Sequence, residues 1–380
     1  MLNSLDIKNF RSLESFQVKK LGQVNLIVGK NNSGKSSVLE ALRIYAGSAN
    51  KALLENIAQG HNEKYRLNED EETNAFDTAL PFEDLFTGRA FPDNDLGIVI
   101  GEVEDSTHSL SITHGFLAEE EEISTDELGE EVTRIRRIVI DKSEFSDFEY
   151  PAKDVLIVKK GQQVFLIDFT RTFPHFRRFS GEMNSIPCSV IPTQFISMDE
   201  LAKEWDAISL TEGEEIVKQA LRIVLPEFED LSFVNDTSNK KPSHRLAKVK
   251  ITKLPRPVSL NSLGDGMLRI LQLVLKVFSA KGGFLLIDEF ENGLHYSVQE
   301  KVWTLLFTLA KDLEIQIFAT THSWDCIESF SKVATENKTT EGVLFRVGKS
   351  VRSSDEGRVI ATVFDKEQLY NITQSDVEVR

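Results

Sequence analysis

Eight residues constrain this chain more than any others. Gly29-Lys30-Asn31-Asn32-Ser33-Gly34-Lys35-Ser36 fits the pattern G-x-x-x-x-G-K-[ST]. It follows Val24-Asn25-Leu26-Ile27-Val28, which reads as a short buried strand, and precedes Ser37-Val38-Leu39-Glu40-Ala41-Leu42, which reads as a helix. Strand, glycine loop and helix in that order imply an α/β layer with a phosphate-binding loop at its edge. The glycines let backbone N–H groups turn inward around phosphate oxygens, and the helix N-terminus adds partial positive charge. The candidate nucleotide-binding residues are Gly29, Asn31, Asn32, Ser33, Gly34, Lys35, Ser36 and Ser37. Lys35 would reach the β- and γ-phosphates, and the Ser36 hydroxyl would bind Mg²⁺. The alternative is a plain Gly/Asn/Ser turn ahead of a helix; the flanking strand and helix favour the nucleotide.

Composition narrows the setting. Net charge is -16, from 60 Asp+Glu against 44 Lys+Arg. That disfavours broad non-specific binding to nucleic acid, which needs a positive face, though a local basic patch stays compatible with it. At 380 residues, 41% hydrophobic and 27% charged, the chain can bury a large core as one elaborated domain or two lobes. No apolar run approaches a membrane span, and the N-terminal MLNSLDIKNF is not a signal peptide. Cys188 and Cys326 are far apart and form no metal-type pair, so they read as small buried hydrophobes. Together these features predict a soluble protein of the reducing cytoplasm.

The pattern of apolar residues sketches the rest. Leu5–Phe10 alternates like an edge strand, and Ser15–Val18 reads as its partner. Residues 50–95 are polar and acidic with helical patches at Ala52–Ala58 and Leu80–Phe86. Strands are predicted at Gly97–Glu102, Ser109–Thr113, Arg134–Ile140, Val155–Lys159 and Gln163–Phe169. The acidic run Ala118–Glu122 reads as a solvated hairpin tip, or alternatively as a docking surface for a basic partner. Arg171, His175, Arg177 and Arg178 make a locally basic segment, either scattered surface arginines or a contact for nucleic acid or another subunit. Ser189–Ile196 reads as a strand, Met198–Ile208 and Gly213–Val224 as helices, and Leu231–Val234 and Ala247–Thr252 as strands. No internal repeat and no extended heptad run is present.

A second set of residues completes a plausible active site. Gly282-Gly283-Phe284-Leu285-Leu286-Ile287-Asp288-Glu289 is an apolar run ending in two acids. A buried parallel strand is hydrophobic along its length, and its carboxyl end opens on the ligand crevice. Asp288 would sit near the Mg²⁺ held by Ser36, and Glu289 one step further out, where it could polarise a water for in-line attack. The next apolar strand, Ile315–Thr321, ends at His322-Ser323. Taken alone His322 is a packed histidine; beside a phosphate loop it could bond the γ-phosphate and sense its loss. The catalytic candidates are therefore Lys35, Glu289 and His322. Ser262-Leu263-Gly264-Asp265-Gly266 precedes an apolar helix, Met267–Phe278. It is either a flexible N-cap or a second anion site, built by Ser262, Gly264 and Gly266 for a γ-phosphate held by a second subunit.

This ordered set resembles the ABC-type ATPases. It runs phosphate loop, late signature loop, Walker B strand with adjacent Glu289, a D-loop-like Glu291-Asn292-Gly293-Leu294-His295, and a switch His322. Lys35 and Asp288 lie far apart in the chain, so an insertion splits the ATPase core. Ile7-Lys8-Asn9-Phe10-Arg11-Ser12-Leu13 with Gly29-Lys30-Asn31-Asn32 resembles the SMC/RecF/OLD branch, where OLD stands for overcoming lysogenisation defect. Ser262–Met267, Asp288-Glu289, Glu291–His295 and Ala319-Thr320-Thr321-His322-Ser323 look most like OLD-type ATPases of bacterial phage-defence systems. The resemblance implies an α/β P-loop ABC-type ATPase with a mixed central sheet and an N-terminal antiparallel β subdomain. A β-rich and helical insertion would lie between phosphate loop and signature loop. The implied division is 1–48 for the first part of the core, 49–188 for the insertion, 189–338 for the second part and 339–380 for terminal strands and tail.

It further implies a head-to-tail dimer around ATP, pairing Lys35 and Ser36 of one chain with Ser262 and Gly264 of the other. Gln194 is the candidate Q-loop ligand for Mg²⁺ and water, or else a surface glutamine. Two departures stand out. The loop L-G-D-G-M lacks the signature glutamine and second adjacent glycine of ABC transporters, which argues against a transport subunit. The stretch after Phe330 is too short for the Toprim nuclease domain of OLD nucleases, so a nuclease would be a separate protein. The expected function is an ATPase switch or sensor acting through such an effector. The alternative is a RecF-like repair ATPase that binds DNA directly. Without an N-K-x-D guanine-reading motif, ATP rather than GTP is expected.

Overall fold

The structure, a computed structural model, describes residues 1–63, 66–67, 78–79, 81–93, 96–125, 131–141, 152–169, 185–235 and 244–374. It opens with β1 (Leu5–Phe10) and β2 (Leu13–Val18), an antiparallel pair, then β3 (Val24–Val28) and α1 (Lys35–Ala46). α2 (Lys51–Gly60) is capped by Asn50, whose side chain accepts from the Leu53 amide. Short strands β4 (Arg66–Leu67) and β5 (Thr78–Ala79) pair with each other, and Phe82–Leu85 forms a 3₁₀ turn where the sequence suggested a helical patch. Then come β6 (Ile98–Glu102), β7 (Asp105–Thr125), β8 (Glu131–Asp141), β9 (Ala152–Lys160) and β10 (Gln163–Asp168).

The second half begins with β11 (Cys188–Ile191), α3 (Met198–Ile208), α4 (Glu212–Val224), β12 (Phe228–Asn235), β13 (Arg245–Ile251) and β14 (Val258–Ser259). It continues with α5 (Asp265–Ser279), β15 (Phe284–Ile287), α6 (Tyr296–Asp312), β16 (Gln316–Thr320) and α7 (Trp324–Glu336). β17 (Gly342–Lys349), β18 (Val359–Phe364) and α8 (Lys366–Gln374) end the described chain.

The central sheet has the order β11-β15-β16-β3-β17-β18. All its neighbours run parallel except β17 and β18, which form an antiparallel hairpin. This is the mixed central sheet that the sequence leads one to expect, in an α/β layer. β3, β15 and β16 are buried at every position. Both faces are covered: Leu26, Val28, Leu285 and Ile287 join a core with α3 to α7, while Ile27, Leu286, Phe318 and Phe345 join one with α1, α2, β1 and β2. That two-sided cover explains runs without polar alternation. Asn25 is tolerated inside β3 because its amide is fully engaged, exchanging bonds with Gly22 and donating to the Ile317 carbonyl.

A second sheet has the order β10-β9-β7-β6-β1-β2, with β8 added to β7. β1 is thus an interior strand rather than an edge: it pairs with β2 on one side and with β6 on the other. The strands of 98–168 therefore continue the sheet that the first two strands begin. The acidic run also sits differently from its expected place. Glu119 to Glu122 lie within the β7–β8 ladder, in register with Arg137, Arg136, Ile135 and Arg134, and not at a hairpin tip. The basic segment 171–178 lies outside the described residues. Ser189–Ile196 is a strand only as far as Ile191, after which the chain bends.

Candidate active site

Parallel register decides what meets what. Ile287 is level with Ala319, and Thr320 is level with Ile27, so β3, β15 and β16 end together. Their carboxyl ends deliver the phosphate loop, Asp288-Glu289 and Thr321-His322 to one place. There a cavity of about 610 Å³ is lined by Ser12, residues 31–37, His61, Asp288, Glu289 and His322.

The phosphate loop is shaped by two glycines. Gly29 has φ 151°, and a Cβ there would fall 2.2 Å from the Val347 carbonyl oxygen of β17. Gly34, with φ 104°, is the N-cap of α1. Both backbone conformations belong to glycine. α1 starts with no side-chain cap and no acidic residue in its first turn, whereas Ser197 caps α3 and Thr211 caps α4 with acids following each. The first N–H groups of α1 are thus left open to an anion. The Ser33 hydroxyl is buried without a partner among the described residues, and it lines the cavity. Lys35 donates to the carbonyls of Gly29 and Lys30 at 2.9 and 3.0 Å, and its Nζ stands 3.4 Å from His322 Nδ1. Burial lowers the Lys35 pKa, while Asp288, Glu289 and Glu291 pull it back up.

The acid pair is fixed by hydroxyls. Thr320 Oγ1 donates to Asp288 Oδ1 at 2.7 Å and accepts from the Glu289 amide at 2.9 Å. Thr193 Oγ1 donates to Asp288 Oδ2 at 3.0 Å. Glu289 takes φ 48°, a left-handed conformation uncommon outside glycine, and its carboxylate lies 3.9 Å from His322 Nε2. Glu291 accepts from Thr321 Oγ1 and from the His322 amide, at 2.7 and 2.8 Å, which ties the loop after β16 to the loop after β15.

Arg269 holds this corner from behind. It is fully buried on α5 and donates to the carbonyls of Pro192, Asp288 and Glu289 at 2.8–2.9 Å. Desolvation lowers its pKa to about 10, opposed by Asp288, Glu291 and Glu289. Asn292 adds a bond to the Thr193 carbonyl, and fully buried Phe290 stacks on Trp303 with centroids 3.8 Å apart.

Not every candidate joins the cavity. Ser262, Gly264 and Gly266 lie at the 3₁₀ turn and first residues before and within α5, outside the cavity lining. Ser262 and Gly264 are exposed, and the Ser262 hydroxyl donates to the Ser259 carbonyl at 2.6 Å. Gln194 is exposed and also absent from the lining; its neighbour Thr193 touches Asp288 instead. Sequence reading passed over Thr193, Thr320 and Arg269, and also Ser12 and His61. A hydroxyl residue closing a buried strand and a lone arginine within Met267-Leu268-Arg269-Ile270-Leu271 were the available signals.

The donor set suits a magnesium nucleotide. Ser36 and Asp288 line one cavity with hard oxygen atoms, and Mg²⁺ takes one or two such groups together with phosphates and waters. The orphaned Ser33 hydroxyl and the open α1 N-terminus suit phosphate oxygens.

Residues 1–173 match the family described as "AAA ATPase domain". Residues 221–325 match the family described as "AAA domain, putative AbiEii toxin, Type IV TA system". Among curated proteins, an ATP/GTP phosphatase of Helicobacter pylori is 24% identical over 353 residues, covering 88% of this chain and 89% of that protein. The DNA replication and repair protein RecF of a Marinomonas species is 55% identical over 40 residues, which is 10% of this chain and 11% of RecF. Among solved structures, the SMC head domain from Thermotoga maritima aligns with 13% identity and a TM-score of 0.42, over 96% of this chain and 99% of that one. An Smc head bound to the C-terminal domain of ScpA from Pyrococcus furiosus aligns with 10% identity and a TM-score of 0.46, over 98% of each chain. No helix among the described residues is long and apolar enough to cross a membrane. The chain is an ATPase, and its residues 1–173 and 221–325 are each similar to an AAA-type ATPase family.

Proposed function

We propose that this ATPase is an OLD-like switch: two chains close head to tail around Mg-ATP, and the closed form acts on a separate effector, a nuclease, in a bacterial anti-phage defence system. The supporting observation is a divided site. The phosphate loop, Asp288, Glu289 and His322 share one cavity, while Ser262 and Gly264 are exposed elsewhere on the same chain. A second copy could supply the missing wall. The match of 221–325 to a family whose description names a toxin of a type IV TA system supports a defence setting.

In this reading phosphate oxygens replace the two carbonyls that now hold Lys35. The α1 N–H groups and the Ser33 hydroxyl take the remaining anion contacts. Mg²⁺, when bound, supplies charge neutralisation at the β- and γ-phosphates. Ser36 and Asp288 would hold it, with Thr193 and Thr320 orienting the carboxylate. Glu289 accepts a proton from the attacking water, and His322 bonds the γ-phosphate until it leaves. Gln194, the remaining candidate metal ligand, is exposed beside Thr193 and outside the cavity lining.

The decisive experiment is the native mass of Glu289→Gln protein expressed with its genomic neighbours, with and without Mg-ATP. An ATP-dependent even-numbered assembly carrying a neighbour-encoded protein supports the switch. A lone monomer in both conditions overturns the ATP sandwich. The same variant should bind ATP yet hydrolyse it at least ~100-fold more slowly, the scale for losing a general base. A near-normal rate would mean that another residue positions the water.

The short match to RecF favours one second reading, direct action on DNA. Salt-dependent duplex binding that Arg177→Glu/Arg178→Glu removes would carry it.

A further inference from the structure

Glu291 lies outside the lining of the nucleotide cavity, yet it is bonded to a residue within that lining. β15 and β16 run side by side in parallel, so the loops that leave them are neighbours. The chain leaving β15 turns back at once. The Phe290 amide donates to the Thr320 carbonyl, the Asn292 amide to the Glu289 carbonyl and the Leu294 amide to the Glu291 carbonyl, at 2.9–3.0 Å. From this tight turn the Glu291 side chain reaches the loop after β16.

The bonds it receives there run in one direction. The Ser323 amide donates to Thr321 Oγ1 at 3.0 Å, and that hydroxyl donates in turn to one Glu291 oxygen at 2.7 Å. The other Glu291 oxygen accepts from the His322 amide at 2.8 Å. A carboxylate has two acceptor oxygens and no donor, so it satisfies a hydroxyl and an amide together. One side chain thereby fixes three consecutive residues, Thr321, His322 and Ser323. Thr321 is fully buried and Ser323 is the N-cap of α7, so the chain is held on both sides of the histidine. The His322 imidazole turns into the cavity, with Nδ1 3.4 Å from Lys35 Nζ and Nε2 3.9 Å from the Glu289 carboxylate. With its backbone pinned, what remains free is rotation about its own side-chain bonds.

We propose that Glu291 is a positioning residue for ATP hydrolysis: it holds the His322 backbone so that the imidazole meets the γ-phosphate, through the reach of its carboxylate rather than its charge. The inference rests on the reading of His322 as the group that bonds the γ-phosphate. Glu291 stays outside the cavity lining, so it acts through His322. Losing the hold leaves the phosphate loop and Asp288 in place, and so costs turnover rather than nucleotide binding. A displacement of about 1 Å at a reacting centre can cost roughly 100-fold in rate. Asn292, on the same turn, donates instead to the Thr193 carbonyl at 2.6 Å and provides the control.

The test is a double-mutant cycle on the full chain, with kcat and KM from steady-state Mg-ATP hydrolysis and nucleotide affinity from titration calorimetry. Glu291→Ala should lower kcat about 10- to 100-fold and leave Mg-ATP affinity within about twofold of wild type. Glu291→Asp keeps the charge but is one methylene too short to reach both groups. It should be as slow, and it takes the place of the alanine variant in the cycle if that variant does not fold. Glu291→Gln keeps an oxygen for the His322 amide and should retain most of the wild-type kcat. Added to His322→Ala, Glu291→Ala should slow turnover no further, whereas Asn292→Ala should add its own effect in full. Wild-type kcat in Glu291→Ala, additive loss in the double variant, or a slow Glu291→Gln beside a normal Glu291→Asp overturns the proposal. His322→Ala at wild-type kcat would instead remove the reading on which the proposal rests, leaving Glu291 nothing to position.

Discussion

At the scale of the residue, the site is a set of hydrogen bonds with little slack. Lys35 holds two carbonyls with one ammonium. Lys35→Ala should abolish Mg-ATP binding, measured by titration calorimetry; unchanged affinity would sink the phosphate-loop assignment. Thr320 is the more informative position, because a single hydroxyl serves both Asp288 and the Glu289 amide. Thr320→Val keeps the shape and leaves both groups short of a partner. It should cost roughly 1–3 kcal/mol in stability and lower turnover at least ~10-fold. Denaturant melts and steady-state ATPase rates would check this, and a variant with wild-type turnover would deny Thr320 a positioning role. These contacts explain why the residue pattern could be read only in part. Gly29–Ser36 is legible because eight adjacent residues carry the whole motif. Thr193, Thr320 and Arg269 are not, because each acts on Asp288 or Glu289 from another segment.

At the scale of the element, α1 and α2 are joined by charge as well as by apolar packing. His61, at the end of α2, bonds Glu40 of α1 at 2.5 Å, and Arg11 pairs with both Glu40 and Glu63. The bond to Glu40 raises the His61 pKa, opposed by burial. A raised histidine pKa stabilises the folded state fully below the unfolded value of about 6.5. That contribution fades as pH climbs through the folded value. His61→Asn should therefore lower Tm more at pH 6 than at pH 8.5, as differential scanning fluorimetry would show. An equal loss at both pH values would mean that the histidine stabilises by packing alone. Element types were largely legible. Met198–Ile208 is a helix with the predicted bounds, since its apolar period and Ser197 cap are local. The edge assignment of β1 failed because its second neighbour, β6, lies far along the chain and nothing in Leu5–Phe10 announces it.

At the scale of the whole molecule, a single chain places the exposed Ser262–Gly264 turn outside its own nucleotide cavity. If a second copy completes that cavity, Ser262→Arg should leave ATP affinity of the monomer intact while blocking ATP-driven assembly. Analytical ultracentrifugation with and without Mg-ATP would decide, and assembly of the variant at wild-type strength would remove Ser262 from the interface. The amino-acid sequence by itself determined the strand–loop–helix at 24–46, the buried strands that end in Asp288-Glu289 and before His322, and the acidic balance. Those features rest on adjacency, periodicity and composition, which act over a few residues. Tertiary structure alone decided that β3, β15 and β16 end in register, so that Lys35, Asp288 and His322 share one cavity. It also decided that Thr193 rather than Gln194 touches Asp288. Those outcomes depend on strand order and register between distant segments, and local sequence preferences carry no record of which distant partner closes the sheet.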